Sequence, residues 1–158
     1  MPVRSLRDGT VKIADAAGTG GGNVVTVDVE EGDFSYTERS PINVIHDRGV
    51  LDHSRLADEE PLSYSVGMRF QSFSTHSATT PYDAVTKTGG AAAWSSDEPA
   101  SDVYAVILEL VISDPAGGAA ETITIERAAI EEVAFAEGNP HDTLAFSGRA
   151  MVTRATLT

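Results

Sequence analysis

Cysteine is absent from the 158-residue sequence. That removes thiol catalysis, thiolate zinc sites and a disulfide framework, without identifying a redox compartment. Basic side chains are scarce: 11 Lys and Arg stand against 24 Asp and Glu, for a formal charge of −13 and a pI near 4.5. This balance cannot build a broad phosphate-neutralising surface, and it argues against wrapping DNA or coating anionic lipid. Long hydrophobic runs are missing too. The longest, Tyr104 to Ile112, is interrupted by Glu109 and is far too short to cross a bilayer. Met1-Pro2-Val3-Arg4 leads into polar sequence with no apolar core of a signal peptide. The expectation is a soluble, unsecreted chain with no membrane association. Its length fits one domain that buries about 70% of its unfolded surface without a metal or disulfide staple.

The charges that are present are unevenly placed. Residues 1–57 hold six Lys/Arg and nine Asp/Glu, a net of −3, whereas residues 58–158 hold five and fifteen, a net of −10. Nine of the eleven cations are Arg, whose planar fork matches a carboxylate bidentately and suits protein interfaces.

Periodicity of two dominates the chain. Leu62, Tyr64, Val66, Met68 and Phe70 alternate with Ser63, Ser65, Gly67, Arg69 and Gln71, which defines the clearest strand. Val25, Val27 and Val29 alternate with Thr26, Asp28 and Glu30. Phe34 and Tyr36 resume the alternation after Glu31-Gly32-Asp33, which reads as a strand, a bend or bulge at Gly32, and a continuation. Val103 to Ser113 is apolar on both faces apart from Glu109, as expected of a central strand. Asp114-Pro115-Ala116-Gly117-Gly118 then turns the chain into Thr122 to Ile125. Ala129 to Ala136 and Leu144 to Arg154 supply two further extended segments around Glu137-Gly138-Asn139-Pro140, and Thr10 to Ala14 gives a short first strand.

One segment reads as helical: Thr80 caps it, Pro81 opens it, and Gly89-Gly90 ends it. The expected fold is mainly β, a β-sandwich or barrel of antiparallel strands with one short flanking α-helix, in a single domain over residues 1–158. Within it, residues 9–38 form an N-terminal strand and Gly-rich hairpin, 39–61 a long functional loop, and 62–158 the remaining strands and the helix.

Motifs that carry chemistry are weak. Gly18 to Gly22 has no following Gly-Lys-Ser/Thr and precedes a strand, so it reads as a hairpin tip rather than a phosphate loop. His46-Asp47 and Asp52-His53 match no metal-ligand spacing, and Pro61 closes the Asp58-Glu59-Glu60 run before it can shape a calcium loop. His141-Asp142 has no serine elbow to serve. Trp94, alone after an alanine run, reads as a core or interface anchor. With no nucleophile or base beside an orienting partner, the chain reads as a binding or building protein and not an enzyme, with no cofactor or metal.

A succession of motifs carries a resemblance. Glu31-Gly32-Asp33-Phe34-Ser35-Tyr36, Asp47-Arg48-Gly49-Val50-Leu51-Asp52-His53 with Arg55, and Asp58-Glu59-Glu60-Pro61 lead into the alternating strand. The Thr80-Pro81 helix, Ser95-Ser96, the Val103 strand, Glu121-Thr122 and Phe135 to Pro140 follow. From Gly9 onward this order resembles the tail tube proteins of tailed bacteriophages. The resemblance implies a ring-forming fold in which six copies close into a ring and rings stack into a hollow tube for genome delivery. Related folds build the inner tube of contractile tails and the secreted ring of type VI secretion. It implies a place in the virion tail after assembly in the host cytoplasm. The implied partners are its own copies, a tape measure protein, a tail terminator and distal tail or baseplate proteins, with DNA passing through unbound.

Within that resemblance, residues 39–61 reach a neighbouring ring or subunit. Arg39, Arg48, Arg55, Glu59 and Glu60 are the expected interface charges, and Val50 and Leu51 the apolar anchors. A bore for DNA must not hold phosphates, so Thr26, Asp28 and Glu30 are the candidate lumen-lining residues, although alternation alone equally allows an outer face. Two rivals remain: a ring protein that does not polymerise, such as a distal tail, tail-completion or type VI ring component, and a monomeric β-sandwich binding module. The sequence leaves open whether a contractile sheath surrounds the tube.

Overall fold

Strands form where the side chains alternate. The computed structural model describes residues 9–27, 34–69, 79–114 and 116–158. The strands, in chain order, are β1 (Gly9–Ala14), β2 (Val24–Val27), β3 (Phe34–Thr37), β4 (Ile42–Asp47), β5 (Val50–Leu56), β6 (Leu62–Arg69), β7 (Ala105–Ile112), β8 (Glu121–Ala136), β9 (Thr143–Ala150) and β10 (Thr156–Leu157). In β6, Leu62, Tyr64, Val66 and Met68 are buried and Ser63, Ser65 and Arg69 are exposed, as the alternation predicts. Eight strands build one antiparallel sheet in the order β2-β1-β7-β8-β9-β6-β3, with β10 added on β8. The strands β4 and β5 pair with each other in a separate two-stranded ribbon.

The mainly β, antiparallel reading with one short helix holds, and the sheet is not a closed barrel: β2 and β3 lie at its two ends. One core spans the strands, from Ile13 and Val25 through Leu108 and Ile125 to Phe146 and Val66. Helix α1 (Pro81–Thr86) packs against β1 and β2. Six residues of helix cannot cover eight strands, and most of the core is supplied by residues of the strands themselves. Thr80 caps α1 through a reciprocal box: its Oγ1 accepts from the Asp83 N–H, and the Asp83 carboxylate accepts from the Thr80 N–H. Trp94 is buried in the core.

Three sequence expectations change. First, Val25–Val27 and Phe34–Tyr36 are not one bent strand. The former pairs with β1 at one end of the sheet and the latter with β6 at the other. Alternation fixes which face a residue takes and not which neighbour it meets, and both segments turn their apolar side to the same core. The bend expected at Gly32 falls outside the described residues. Second, Thr122–Ile125 and Ala129–Ala136 belong to one 16-residue strand, β8. Third, the loop expected over residues 39–61 is largely a β-hairpin.

Two irregularities shape β8. Val106 pairs with Ala128 and Leu108 with Ile125, so Glu126 and Arg127 together oppose Ile107. Farther along, Ile130 pairs with Gly148 and Glu132 with Ser147, leaving Glu131 extra. Both are β-bulges, which locally re-aim side chains. Tyr64 spans the strand between β6 and β8: its hydroxyl donates to the Ala129 carbonyl at 2.6 Å, across β9 at Gly148, the residue paired with Tyr64. Burial raises the Tyr64 pKa, with a smaller contribution from Glu131, so this donor keeps its proton. A Cβ on Gly148 would collide with the Ala129 carbonyl oxygen and press on the Glu131 backbone nitrogen. Backbone cannot give way as a flexible side chain can. Gly148→Ala is therefore expected to cost about 1–3 kcal/mol, lowering the melting temperature by about 3–10 °C. Thermal unfolding followed by circular dichroism measures it, and an unchanged midpoint would show that β8 and β9 separate freely here.

Candidate functional site

Residues 39–61 project a ribbon instead of a loop. At its tip Arg48 and Gly49 both take positive φ, 49° and 84°. Asp47 pairs directly with Val50 around them, which makes a two-residue turn of the kind that matches strand twist. Glycine at 49 meets the conformational demand that most side chains resist. The pairing runs Ile42 with Leu56, Asn43 with Arg55, Val44 with Ser54 and Ile45 with His53. It then shifts so that His46 meets Leu51, and Asp52 is extra. The Asp52 carboxylate sits 2.6 Å from His53 Nδ1.

Among the described residues the ribbon is exposed along nearly its whole length. Ile42, Val44, Leu51 and Leu56 fall on one face by this register, and Leu51 is 71% and Leu56 82% exposed. Val50, beside the tip, is also exposed. Isolated two-stranded hairpins are marginal in water, and each such side chain gains about 1.5–3 kcal/mol on full burial. A contiguous apolar stripe left in solvent marks an interaction surface.

The predicted interface residues divide by position. Arg48 is at the tip, Val50 and Leu51 follow it, and Arg55 stands exposed near the far end of β5, toward the base of the ribbon. At the base of the ribbon Arg39 Nη1 lies 3.8 Å from Glu60 Oε2, both well exposed. Their mutual pairing is worth about 0–1 kcal/mol. Glu59 and Glu60 line a shallow recess with Pro61, Arg127, Met151, Val152 and Thr153. Of the lumen-lining candidates, Thr26 is exposed on the outer face of β2, the strand at one end of the sheet, while Asp28 and Glu30 lie outside the described residues. Among the described residues no group of three or more His, Cys, Asp or Glu is placed to hold a metal ion, and no helix is long and apolar enough to cross a membrane. Asp142 accepts the Gly138 N–H at 3.1 Å, so its carboxylate closes a turn.

A second feature was not anticipated. The two bulges of β8 carry Arg127 and Glu131 to the rim of a hollow of about 510 Å³, whose lining includes Val103, Ala105, Ala129, Ile130 and Met151. Arg127 has a φ of 53°, rare for a side chain of its size. Asp97 holds it there by accepting its backbone N–H at 2.6 Å, and Glu98 takes its Nε in a close ion pair. Across the hollow Arg149 donates through Nε and Nη2 to Glu131 Oε1 at 2.9 and 2.6 Å. The hydrogen bond from Arg127 holds the Glu98 carboxyl below the usual glutamate range, and that from Arg149 does the same for Glu131. The result is an apolar floor between two internally neutralised pairs. Its signal in the sequence is faint, because a bulge residue interrupts the alternation by which strand faces are read.

No protein-family model and no curated protein sequence matches the chain. Among solved structures, the sheath/tube terminator of the extracellular contractile injection system PVC, in its extended state, is similar at a TM-score of 0.65 and 10% identity, over 100% of this chain and 97% of that one. The tube terminating cap of the anti-feeding prophage is similar at a TM-score of 0.57 and 10% identity, over 100% of this chain and 92% of that one. The chain thus shares its fold with components that end tail-like tubes.

The depressed carboxyl pKa of Glu98 sets a pH dependence. Its contribution to stability is complete above the unfolded value of about 4.3 and disappears as pH falls through the lower folded value. Melting temperatures of the wild type and Glu98→Gln should differ most near neutral pH and converge as the pH falls below the lowered folded-state value of Glu98. A difference that is constant with pH would mean that the Arg127–Glu98 pair carries no proton linkage.

Proposed function

We propose that this chain is a ring-forming subunit that closes the end of a phage-type tail or injection tube and does not itself extend the tube. The observation that carries this reading is the whole-length likeness to a tube terminator and a tube cap. The exposed apolar ribbon supports it from physics, because contiguous apolar surface of that kind is characteristic of a face that a neighbour covers. Six copies per ring, as the tail-tube resemblance implies, would give the ring a net charge of −78 at −13 each. DNA sliding past such a ring is repelled and not retained. Its partners on this reading are further copies of itself and the last ring of the tube, within the tail particle.

The polymerising-tube reading keeps one argument, the succession of motifs from Gly9 onward. Electron microscopy and mass measurement of the purified protein separate the two. Single rings of fixed mass are expected; long hollow tubes would restore the tube subunit, and a lone chain at all concentrations would leave a monomeric binding module. Replacing Val50 and Leu51 with Ser is expected to abolish the rings. It should leave the melting temperature within about 2 °C, because exposed positions contribute little to the monomer. Rings that persist would place the contacts elsewhere.

A further inference from the structure

We propose that the hollow between the β8 bulges receives the apolar tip of the ribbon from a second copy of this chain, Val50 and Leu51 entering against Val103 and Met151. The proposal rests on the ring-forming reading and names the contact that would close the ring.

Chemistry narrows the occupant. The charged groups at the rim are already satisfied by each other, Arg127 with Glu98 and Arg149 with Glu131. A polar ligand would have to displace a partner, whereas an aliphatic one displaces only water. Val103 is 50% and Met151 42% exposed, so apolar surface is open to it. The space suits several aliphatic side chains.

Charge narrows it further, to this chain. Residues 42–56, the two strands of the ribbon and their turn, contain two Arg and two Asp, a net of zero, whereas the other residues contain nine cations and 22 anions, a net of −13. The ribbon is therefore a part of the molecule that a body of this composition does not repel, and it carries a cation, Arg48, at its tip. The recess bearing Glu59 and Glu60 adjoins the hollow, sharing Arg127 and Met151 with it. A tip seated in the hollow brings its Arg48 beside those carboxylates. Donor and receiver are different surfaces of the same chain, so the contact is head-to-tail, and repeated head-to-tail contacts close into a ring when the rotation permits.

The lack of native cysteine makes the test direct. Leu51→Cys and Val103→Cys chains carrying different tags are mixed at assembly concentration and mildly oxidised, and Val50→Cys with Met151→Cys serves as a second pair. Oligomer mass is followed in parallel by native mass spectrometry. A disulfide joining the two tags as the main product, with each variant alone remaining a thiol, is expected. The doubly substituted chain should then give a ladder ending at the mass of the closed ring. Dominant Leu51→Cys self-linkage would put ribbon on ribbon and overturn the proposal. Rings that form while neither pair links would overturn this contact and leave the ring reading standing. Chains that stay single throughout would overturn both.

Discussion

Like charge is the constraint on everything this molecule does with its own kind. Two copies at −13 repel at long range, although salt at physiological strength screens that field beyond about 8 Å. Association is left to contacts made inside that distance. They must come from surfaces where charge is absent or already paired. Among the described residues the apolar stripe of the ribbon and the hollow flanked by the Arg127–Glu98 and Arg149–Glu131 pairs are such surfaces.

Both surfaces owe their shape to local backbone geometry held by the core. The ribbon stands because Arg48 and Gly49 turn it in two residues. The hollow exists because β8 bulges twice, and the sheet tolerates those bulges because Tyr64 reaches over Gly148 to take up the Ala129 carbonyl. Burial pushes Tyr104 up to about 12, with a smaller push from Asp15, and its hydroxyl donates to the Ala84 carbonyl of α1 at 2.8 Å. Phenols thus tie strands and helix together at positions where a ladder bond is not available.

Much of the fold was legible in the sequence. The alternation from Leu62, the Thr80-Pro81 start of the helix and the turn after Asp114 match the structure, because each depends on chemistry within a few residues; the helix stops at Thr86, with Lys87 in the left-handed conformation, before the expected end at Gly89-Gly90. Strand neighbours were not legible. The separation of Val25–Val27 from Phe34–Tyr36 is a choice of partner among strands that share one core. Residues 39–61 were read as a loop because a ribbon without a buried side has no reason to alternate cleanly, although Arg48-Gly49 carried its turn signal. Val50 and Leu51 stand out in the sequence by their apolar character; that Ile42, Val44 and Leu56 share a face with Leu51 emerges only from the register. The hollow was invisible because it gathers Glu98, Arg127, Glu131 and Arg149 from three separate stretches.

The paired bulges of β8 also set a rule of parity. Ile123 and Ile125 face the core at odd positions, Ala128 and Ile130 at even ones, and Val133 returns to odd, opposite Phe146. Each extra residue flips the inside–outside frame, and the second restores what the first displaced. Exchange of one amino acid for another leaves that frame intact, whereas loss or gain of a single residue between 126 and 131 would invert every position downstream to Ala136. Among descendants of this gene, the segment should therefore drift in composition while keeping its length.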